Sequence, residues 1–153
     1  MKNELYTNKQ MNQITGETKQ RIQYWILKGV FQPADEGRGI GTSRRYSIGN
    51  LLEITIAQTL TPILNNVALV ANILNEIRKK RPTFFKNSAG SGGDAEKNIL
   101  SVLIQSENAI LVYIHGIEEA KESMGNYLAE GFKCFHMDLD YLKAQLISKI
   151  ERI

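Results

Sequence analysis

The sequence contains a single cysteine, Cys134, so no disulfide can form within the chain, and a reducing compartment is favoured. Long hydrophobic runs are also missing. The longest clear one, residues 109–114, is far shorter than the roughly 20 residues that a membrane-spanning helix needs. The first residues, MKNELYTNKQ, lack the apolar stretch of a signal peptide. We therefore expect a cytoplasmic protein with no membrane partner.

The excess of positive over negative charge is also small. The chain has 19 Lys and Arg against 16 Asp and Glu, a formal net charge of +3. So small an excess does not by itself indicate a nucleic-acid partner, and the placement of the cations matters more. Apolar residues make up 42% of the chain and charged residues 23%, a balance typical of globular proteins, so disorder is disfavoured.

Glycine and serine concentrate in one stretch, SAGSGGDAEKN, which lies within residues 82–98. We predict a flexible linker there. The apolar pattern is mainly helical in residues 1–81, whereas short runs rich in β-branched residues occur in residues 99–153. The expected fold class is therefore α+β, with two small regions joined by the linker.

Two short helices are predicted near the N terminus. Thr7 and Gln10 form a capping box for the first helix, and Gly16 ends it. Thr18 caps the second helix, which stops near Gly29. Two helices joined by a tight glycine turn are typical of a helix-turn-helix, whose second helix enters the major groove of DNA. The core side of that helix contains Ile22, Trp25 and Ile26. Its polar side contains Gln20, Gln23, Tyr24 and Lys28.

A hairpin, or wing, is predicted over residues 30–46. Pro33 confines its first segment to an edge, and three glycines form its tip between residues 37 and 41. Two further helices are predicted over residues 47–61, where Pro62 interrupts, and over residues 67–80. The basic residues 78–81 suit a helix C terminus and are a weaker candidate for DNA contact.

Together these residues resemble the DNA-binding half of the MerR family of transcription regulators. The ordered combination over about forty residues is fairly specific, although no single element is. The resemblance implies a winged helix-turn-helix within residues 1–81 and a dimeric regulator. The family's long dimerisation helix has no counterpart in this sequence. The matching segments are Tyr6-Thr7, Gly16-Glu17-Thr18, Tyr24-Trp25, Gly29-Val30, Pro33, Arg44-Arg45-Tyr46-Ser47 and Asn50-Leu51.

The predicted DNA contacts lie on the second helix and on the wing. Cations at separated points fix a protein on the duplex, glutamine can pair with adenine, and backbone N–H groups at a helix start can bind phosphate. Trp25 shares a side with Ile22 and Ile26, so we expect it in the core. The predicted contact residues are Thr18, Lys19, Gln20, Arg21, Gln23, Tyr24, Lys28, Arg38, Arg44, Arg45 and Tyr46.

Residues 99–153 predict a small α/β region. Its elements are a hairpin of residues 99–104 and 109–114, a helix over 117–129, a third strand over 132–137 and a terminal helix capped by Asp138. So small a sheet buries little by itself, which favours self-association or packing on the first half. We expect the dimer to form through the apolar stripe of the terminal helix, Leu139, Leu142, Leu146 and Ile150.

Cys134, His136 and Asp138 alternate along the third strand and are a possible set of metal ligands. A buried thiol, a surface histidine and a capping aspartate explain these residues better. His115, beside a glycine at a strand end, is expected to be exposed. We therefore expect no metal and no cofactor.

The expected function is that of a sequence-specific regulator that binds double-stranded DNA as a homodimer. Paired catalytic acids and a nucleophile elbow are missing, so neither an enzyme nor a metabolite-binding protein is favoured. An architectural or phage-type DNA-binding protein built on the same module is the main alternative, and footprinting separates the two. The sequence leaves open the operator, the sign of regulation and whether an unknown small-molecule effector binds.

Overall fold

The computed structural model describes residues 4–37, 43–86, 98–106, 109–129 and 133–153. These residues form six helices and one three-stranded antiparallel sheet, which confirms a mixed α+β fold. In these ranges no helix is both long enough and apolar enough to cross a membrane. The elements are α1 (Asn8–Thr15), α2 (Lys19–Leu27), α3 (Ile48–Leu64), α4 (Val67–Lys80), β1 (Ile99–Ser106), β2 (Ala109–His115), α5 (Ile117–Ala129), β3 (Lys133–Asp138) and α6 (Leu139–Ile150).

The chain divides into two compact units. The first contains residues 1–90 and 144–153, and the second contains residues 91–143. The expected division into residues 1–81, a linker over 82–98 and residues 99–153 stays a prediction. Helix α6 begins in the second unit and ends in the first.

Both N-terminal helices begin where their capping residues predict. The Thr7 hydroxyl accepts the backbone N–H of Gln10 at 3.3 Å, and the Gln10 side chain accepts the N–H of Thr7 at 2.9 Å. Gly16 ends α1 with φ of +76°, a conformation that glycine adopts without a steric penalty. The Thr18 hydroxyl caps α2 by accepting the N–H of Arg21 at 3.3 Å. These local signals place α2 directly after a tight turn.

The two arms of the predicted hairpin after α2 are paired by a single antiparallel bridge in the described residues. Asp35 and Arg45 exchange two backbone hydrogen bonds of 3.1 and 2.9 Å, and a second bridge joins Tyr6 to Tyr46. Apart from Gly37, the predicted tip lies outside the described residues, as does the predicted contact Arg38. The structure therefore gives the base of this segment, which we call the wing base (residues 30–37 and 43–46).

The expected end of α3 at Thr61 is wrong, because α3 continues through Pro62 to Leu64. Asn65 is its C-cap. A proline inside a helix removes one N–H and crowds the carbonyl four residues earlier, here that of Gln58, at a cost of about 3 kcal/mol. The deeply buried side of α3 offsets this cost, since burial of each large aliphatic side chain stabilises by about 1.5–3 kcal/mol. The large aliphatic side chains buried on α3 are Leu51, Leu52, Ile54, Ile56 and Leu60.

The first residues of the predicted linker are structured. Residues 82–86 form turns, with the N–H of Phe84 bonded to the Arg81 carbonyl at 3.0 Å. Phe84 is buried and its ring meets that of Phe85 edge-on at 5.2 Å. Residues 82–86 therefore have local structure, and the flexibility of the linker stays a prediction. The glycine-rich residues 87–97 lie outside the described ranges.

The second unit contains the sheet, in which β1 is the central strand. It pairs antiparallel with β2 on one side and with β3 on the other, so β2 and β3 run parallel and α5 connects them. The predicted hairpin, helix and third strand are confirmed to within two residues. Asp138 accepts the N–H of Tyr141 at 2.9 Å, which confirms it as the cap of α6.

The apolar stripe of α6 is partly covered by the chain itself. Leu139 and Leu146 are buried, whereas Leu142 and Ile150 are half-buried. Leu139 and Leu146 are therefore already buried within a single chain. Dimerisation through this helix stays a prediction that rests mainly on Leu142 and Ile150.

A hydrogen-bonded group of three side chains joins all three strands. The buried Ser101 hydroxyl on β1 lies 2.5 Å from Nε2 of His115 on β2 and 2.6 Å from Nδ1 of His136 on β3. The expectation of an exposed His115 is therefore wrong, because the ring is half-buried. The Nε2 atom of His136 is buried and has no hydrogen-bond partner among the described residues.

We expect the second unit to lose stability on acidification. Burial, and then the neighbouring His115, lower the pKa of His136 below its usual 6.5. The unfolded chain therefore takes up the proton at a higher pH than the folded chain. The stability that neutral His136 contributes is complete above about pH 6.5 and is lost as the pH falls through the lowered folded value. Thermal unfolding followed by circular dichroism at about pH 7.5 and about pH 5.5 measures this loss.

A His136→Gln variant, which cannot take up the proton, should show a smaller dependence on pH over the same range. Histidine NMR titration supplies the direct measurement. A His136 that titrates at or above the value of an unfolded peptide would contradict the prediction.

Candidate nucleic-acid interface

Helix α2 divides cleanly into a buried side and an exposed side. The buried side contains Ile22, Trp25 and Ile26, and Trp25 is only 1% exposed. This confirms the expectation that Trp25 belongs to the core. Tyr24, by contrast, is 46% exposed, as its predicted contact with a partner requires. The exposed residues of α2 and its C-cap are Lys19, Gln20, Arg21, Gln23, Tyr24, Leu27 and Lys28.

Buried polar side chains fix the turn before α2 to α3. The Gln58 amide donates to the Thr15 carbonyl and to the Glu17 carboxylate, both at 2.9 Å. The buried Glu17 in turn forms an ion pair with Arg21 at 3.6 Å. Each buried polar group has a partner, so the arrangement is specific as well as stable. The orientation of α2 on α3 is therefore set by side chains outside the exposed surface.

Arg21 is held against the body of the unit. Besides its ion pair with Glu17, its guanidinium lies 5.0 Å from the centre of the Trp25 ring, a cation–π distance. Lys28 makes a similar contact from the exposed side, with Nζ 5.8 Å from the centre of the Tyr24 ring. Tyr24 and Lys28 also line an open depression of about 450 Å³, together with residues of the connection between α3 and α4.

Asn50 holds the wing base on the start of α3. Its Oδ1 accepts the N–H groups of Ala34 and Ser47 at 2.9 and 3.1 Å, and its Nδ2 donates to the Gln32 carbonyl at 2.7 Å and to Glu53 at 3.0 Å. All four hydrogen-bonding positions of the amide are therefore used. This arrangement positions the exposed residues that follow in the wing base.

Glu53 and Arg78 form a partly buried ion pair behind the wing base. Arg78 donates to the Glu53 carboxylate and to the Val30 carbonyl, each at 2.7 Å. Burial raises the pKa of Glu53, although Arg78 and then the Asn50 amide act to lower it. Arg78 is thus an internal structural contact, which argues against its role as a DNA contact.

The cations of the wing base differ in their surroundings. Arg44 pairs with Glu36 at 3.0 Å, so part of its charge is neutralised. Arg45 is exposed and no carboxylate in the described parts of the chain pairs with its side chain. Arg45 is therefore the better candidate to bind an anion.

The predicted DNA contact of the Tyr46 side chain is wrong. Tyr46 is 1% exposed, and its hydroxyl donates to Asn8 at 2.9 Å. Its ring packs near Phe31, with 6.5 Å between ring centres. The aromatic side chain that closes the wing base is therefore core, and its backbone bridge to Tyr6 ties this segment to the residues before α1.

Exposed cations lie on α2, on its C-cap and on the wing base. Lys19 begins α2, Lys28 is its C-cap, and Arg45 lies on the wing base; all three are exposed. Cations at separated points are a feature of surfaces that bind a phosphate backbone. No three His, Cys, Asp or Glu side chains within the described ranges converge to hold a metal ion.

Sequence reasoning missed the residues that hold the interface in place. Asn50, Glu53 and Gln58 are the main examples, and all three interrupt the apolar pattern of α3. A buried polar residue in such a run indicates a specific partner, so this interruption was the available signal. The partners themselves, such as Arg78 and Glu17, lie 25 and 41 residues away in the chain.

No known family model matches this chain, and no curated protein matches it. The resemblance to the MerR family therefore stays a prediction.

Proposed function

We propose that this chain is a transcription regulator that binds specific sequences in double-stranded DNA. In this proposal α1 and α2 act as a helix-turn-helix and the wing base contacts phosphates. The observation that carries the proposal is the exposed polar side of α2, which is bordered by cations and fixed to α3 by Gln58 and Glu17. A rigid helix with a free polar side is what the major groove of DNA accommodates.

The cations have separate roles in this proposal. Lys19 and Lys28 stand at the two ends of α2, and Arg45 stands on the wing base. Phosphate contacts at such separated points fix the register of a protein on the duplex but carry no sequence information. Sequence discrimination is then left to the exposed residues in the middle of α2.

The first test is the salt dependence of DNA binding. The intact chain should bind genomic duplex fragments at about 50 mM salt and lose affinity steeply as salt rises, because each phosphate contact releases counterions. Arg45→Ala should weaken binding to all sequences alike and reduce the slope of log K against log salt by about one per site. Fluorescence anisotropy measures both effects.

Lys121→Ala is the matched control, because Lys121 is an exposed cation on α5. It should leave the slope unchanged. Absence of binding at low salt would contradict the proposal. Selection from random duplex DNA then tests sequence specificity: a regulator enriches a defined site, whereas an architectural protein covers DNA broadly.

We also propose that the chain binds DNA as a homodimer, since one helix-turn-helix covers only a short half-site. Leu142→Asp should give a monomer by light scattering and weaken binding to a two-part site, because it places a charge on the half-buried stripe of α6. Ala144→Asp, at an exposed position of the same helix, is the control and should stay dimeric. A Leu142→Asp variant that remains a dimer would place the interface elsewhere.

A further inference from the structure

The exposed side of α2 has a distinct centre and two borders. Successive residues of an α-helix turn by about 100°. Measured from the buried Ile22–Trp25–Ile26 side, this rotation places Gln20, Tyr24 and Leu27 at the centre of the opposite side. Lys19 and Arg21 fall on the two borders, next to the body of the unit. A duplex facing α2 would therefore meet the central three side chains most directly.

The centre of this surface has no arginine or lysine, the side chains that most often read guanine in the major groove. The one arginine of α2, Arg21, is held by Glu17 and by the face of Trp25. To reach a base it would have to leave a buried carboxylate without that cation, which is costly. Arg21 is therefore a positioning residue for the turn.

Leu27 is the unusual member of the central group. It is 85% exposed, the largest value among the exposed large apolar side chains of the described residues, on a helix side that is otherwise polar. An apolar side chain on a DNA-facing surface needs an apolar partner. The C5-methyl group of thymine is the apolar group that base pairs present in the major groove.

Gln20 lies on the same side of α2, about one turn from Tyr24 and two turns from Leu27. A glutamine amide pairs in bidentate fashion with N6 and N7 of adenine. Adenine and thymine are the two bases of an A·T pair. A contact of Gln20 with adenine and a contact of Leu27 with thymine would therefore both favour sites rich in A·T pairs.

We infer that α2 selects A·T base pairs, with Gln20 on the edge of an adenine and Leu27 on the methyl group of a thymine. This inference rests on the proposed DNA binding and adds the base preference. It requires no guanine contact from the centre of α2. It also explains why an exposed leucine stands among polar residues.

Base analogues in the selected site test the inference with the intact protein. Uracil in place of thymine removes only the methyl group and should weaken binding by the wild-type chain about fourfold at one position, the equivalent of one buried methyl group. 7-Deazaadenine removes N7 and should weaken binding by about fivefold or more at another position. Leu27→Ala should be insensitive to uracil, and Gln20→Ala insensitive to 7-deazaadenine.

Three further variants serve as controls. Leu27→Met keeps an apolar side chain and should keep the response to uracil. Ile63→Ala, on α3, and Gln13→Ala, on α1, remove exposed side chains outside this surface and should keep both responses. Each variant is checked by circular dichroism.

The outcomes separate the two proposals. A chain that binds duplex DNA but selects G·C pairs, or that responds to uracil equally with and without Leu27, overturns the base preference and leaves DNA binding standing. A chain that binds no duplex overturns the proposed function itself.

Discussion

Trp25→Ala should destabilise the first unit by about 3–5 kcal/mol, the usual cost of deleting a large aromatic side chain from a core. Trp25 is among the largest fully buried side chains, it shares the buried side of α2 with Ile22 and Ile26, and the Arg21 guanidinium stands over its ring. A single domain is stable by only about 5–15 kcal/mol, so this loss is a large part of the total. The proposed DNA binding should weaken as the folded fraction falls.

Tyr24→Ala, one residue away, should behave in the opposite way. The side chain is half exposed, and changes at such positions usually alter stability by about 0.5 kcal/mol or less. The proposed DNA binding should fall nonetheless, because the Tyr24 ring lies on the exposed side of α2 and contacts Lys28. The two neighbours thus separate folding from binding.

Urea unfolding followed by circular dichroism measures both variants, since Trp25 is the only tryptophan and its fluorescence is lost in one of them. Trp25→Phe is the matched control and should keep most of the stability, because it retains an aromatic ring in the core. A Tyr24→Ala variant that loses as much stability as Trp25→Ala would show that the division of α2 into core and exposed sides is wrong.

The first two helices could be predicted from the sequence because their capping signals are local. Thr7 with Gln10, and Thr18 with the N–H of Arg21, are caps within three residues of their partners. The helical period placed Trp25 on the same side as Ile22 without any knowledge of the fold. The same applies to Asp138, which caps α6 from the residue before it.

The positions that sequence reasoning misjudged depend on distant partners. Tyr46 closes the wing base in a pattern typical of a DNA contact, yet its hydroxyl bonds to Asn8, 38 residues earlier. Pro62 is a local signal to stop a helix, and the buried side of α3 outweighs it. Nothing in the period of a strand shows that Ser101 lies between two histidines, since this depends on which strand is central.

Arg78 and Lys79 are adjacent cations at the end of α4 whose removal should have very different effects. Arg78 bonds to the buried Glu53 and to the Val30 carbonyl, whereas Lys79 pairs with Glu76 on the surface. Removing one partner of a buried pair costs about 3–5 kcal/mol, because it leaves the other charge uncompensated. Since Arg78 is itself partly exposed, we expect Arg78→Ala to cost about 3 kcal/mol, at the low end of that range. Lys79→Ala, the control, should cost about 0.5 kcal/mol or less.

The pH dependence identifies the cause of this loss. Burial raises the pKa of Glu53 above that of an unfolded chain, and loss of Arg78 removes the main influence that lowers it. A carboxyl whose pKa is raised on folding contributes stability that is fully present below the unfolded value of about 4.5 and is lost as the pH rises through the folded value. The deficit of Arg78→Ala relative to wild type should therefore be largest at neutral pH and shrink on acidification. Urea unfolding followed by Trp25 fluorescence at matched pH measures it. In a Glu53→Gln background, the deficit of Arg78→Ala relative to Glu53→Gln alone should not depend on pH. A deficit relative to wild type that is the same at every pH would mean that Arg78 acts through packing and through Val30, not through the charge of Glu53.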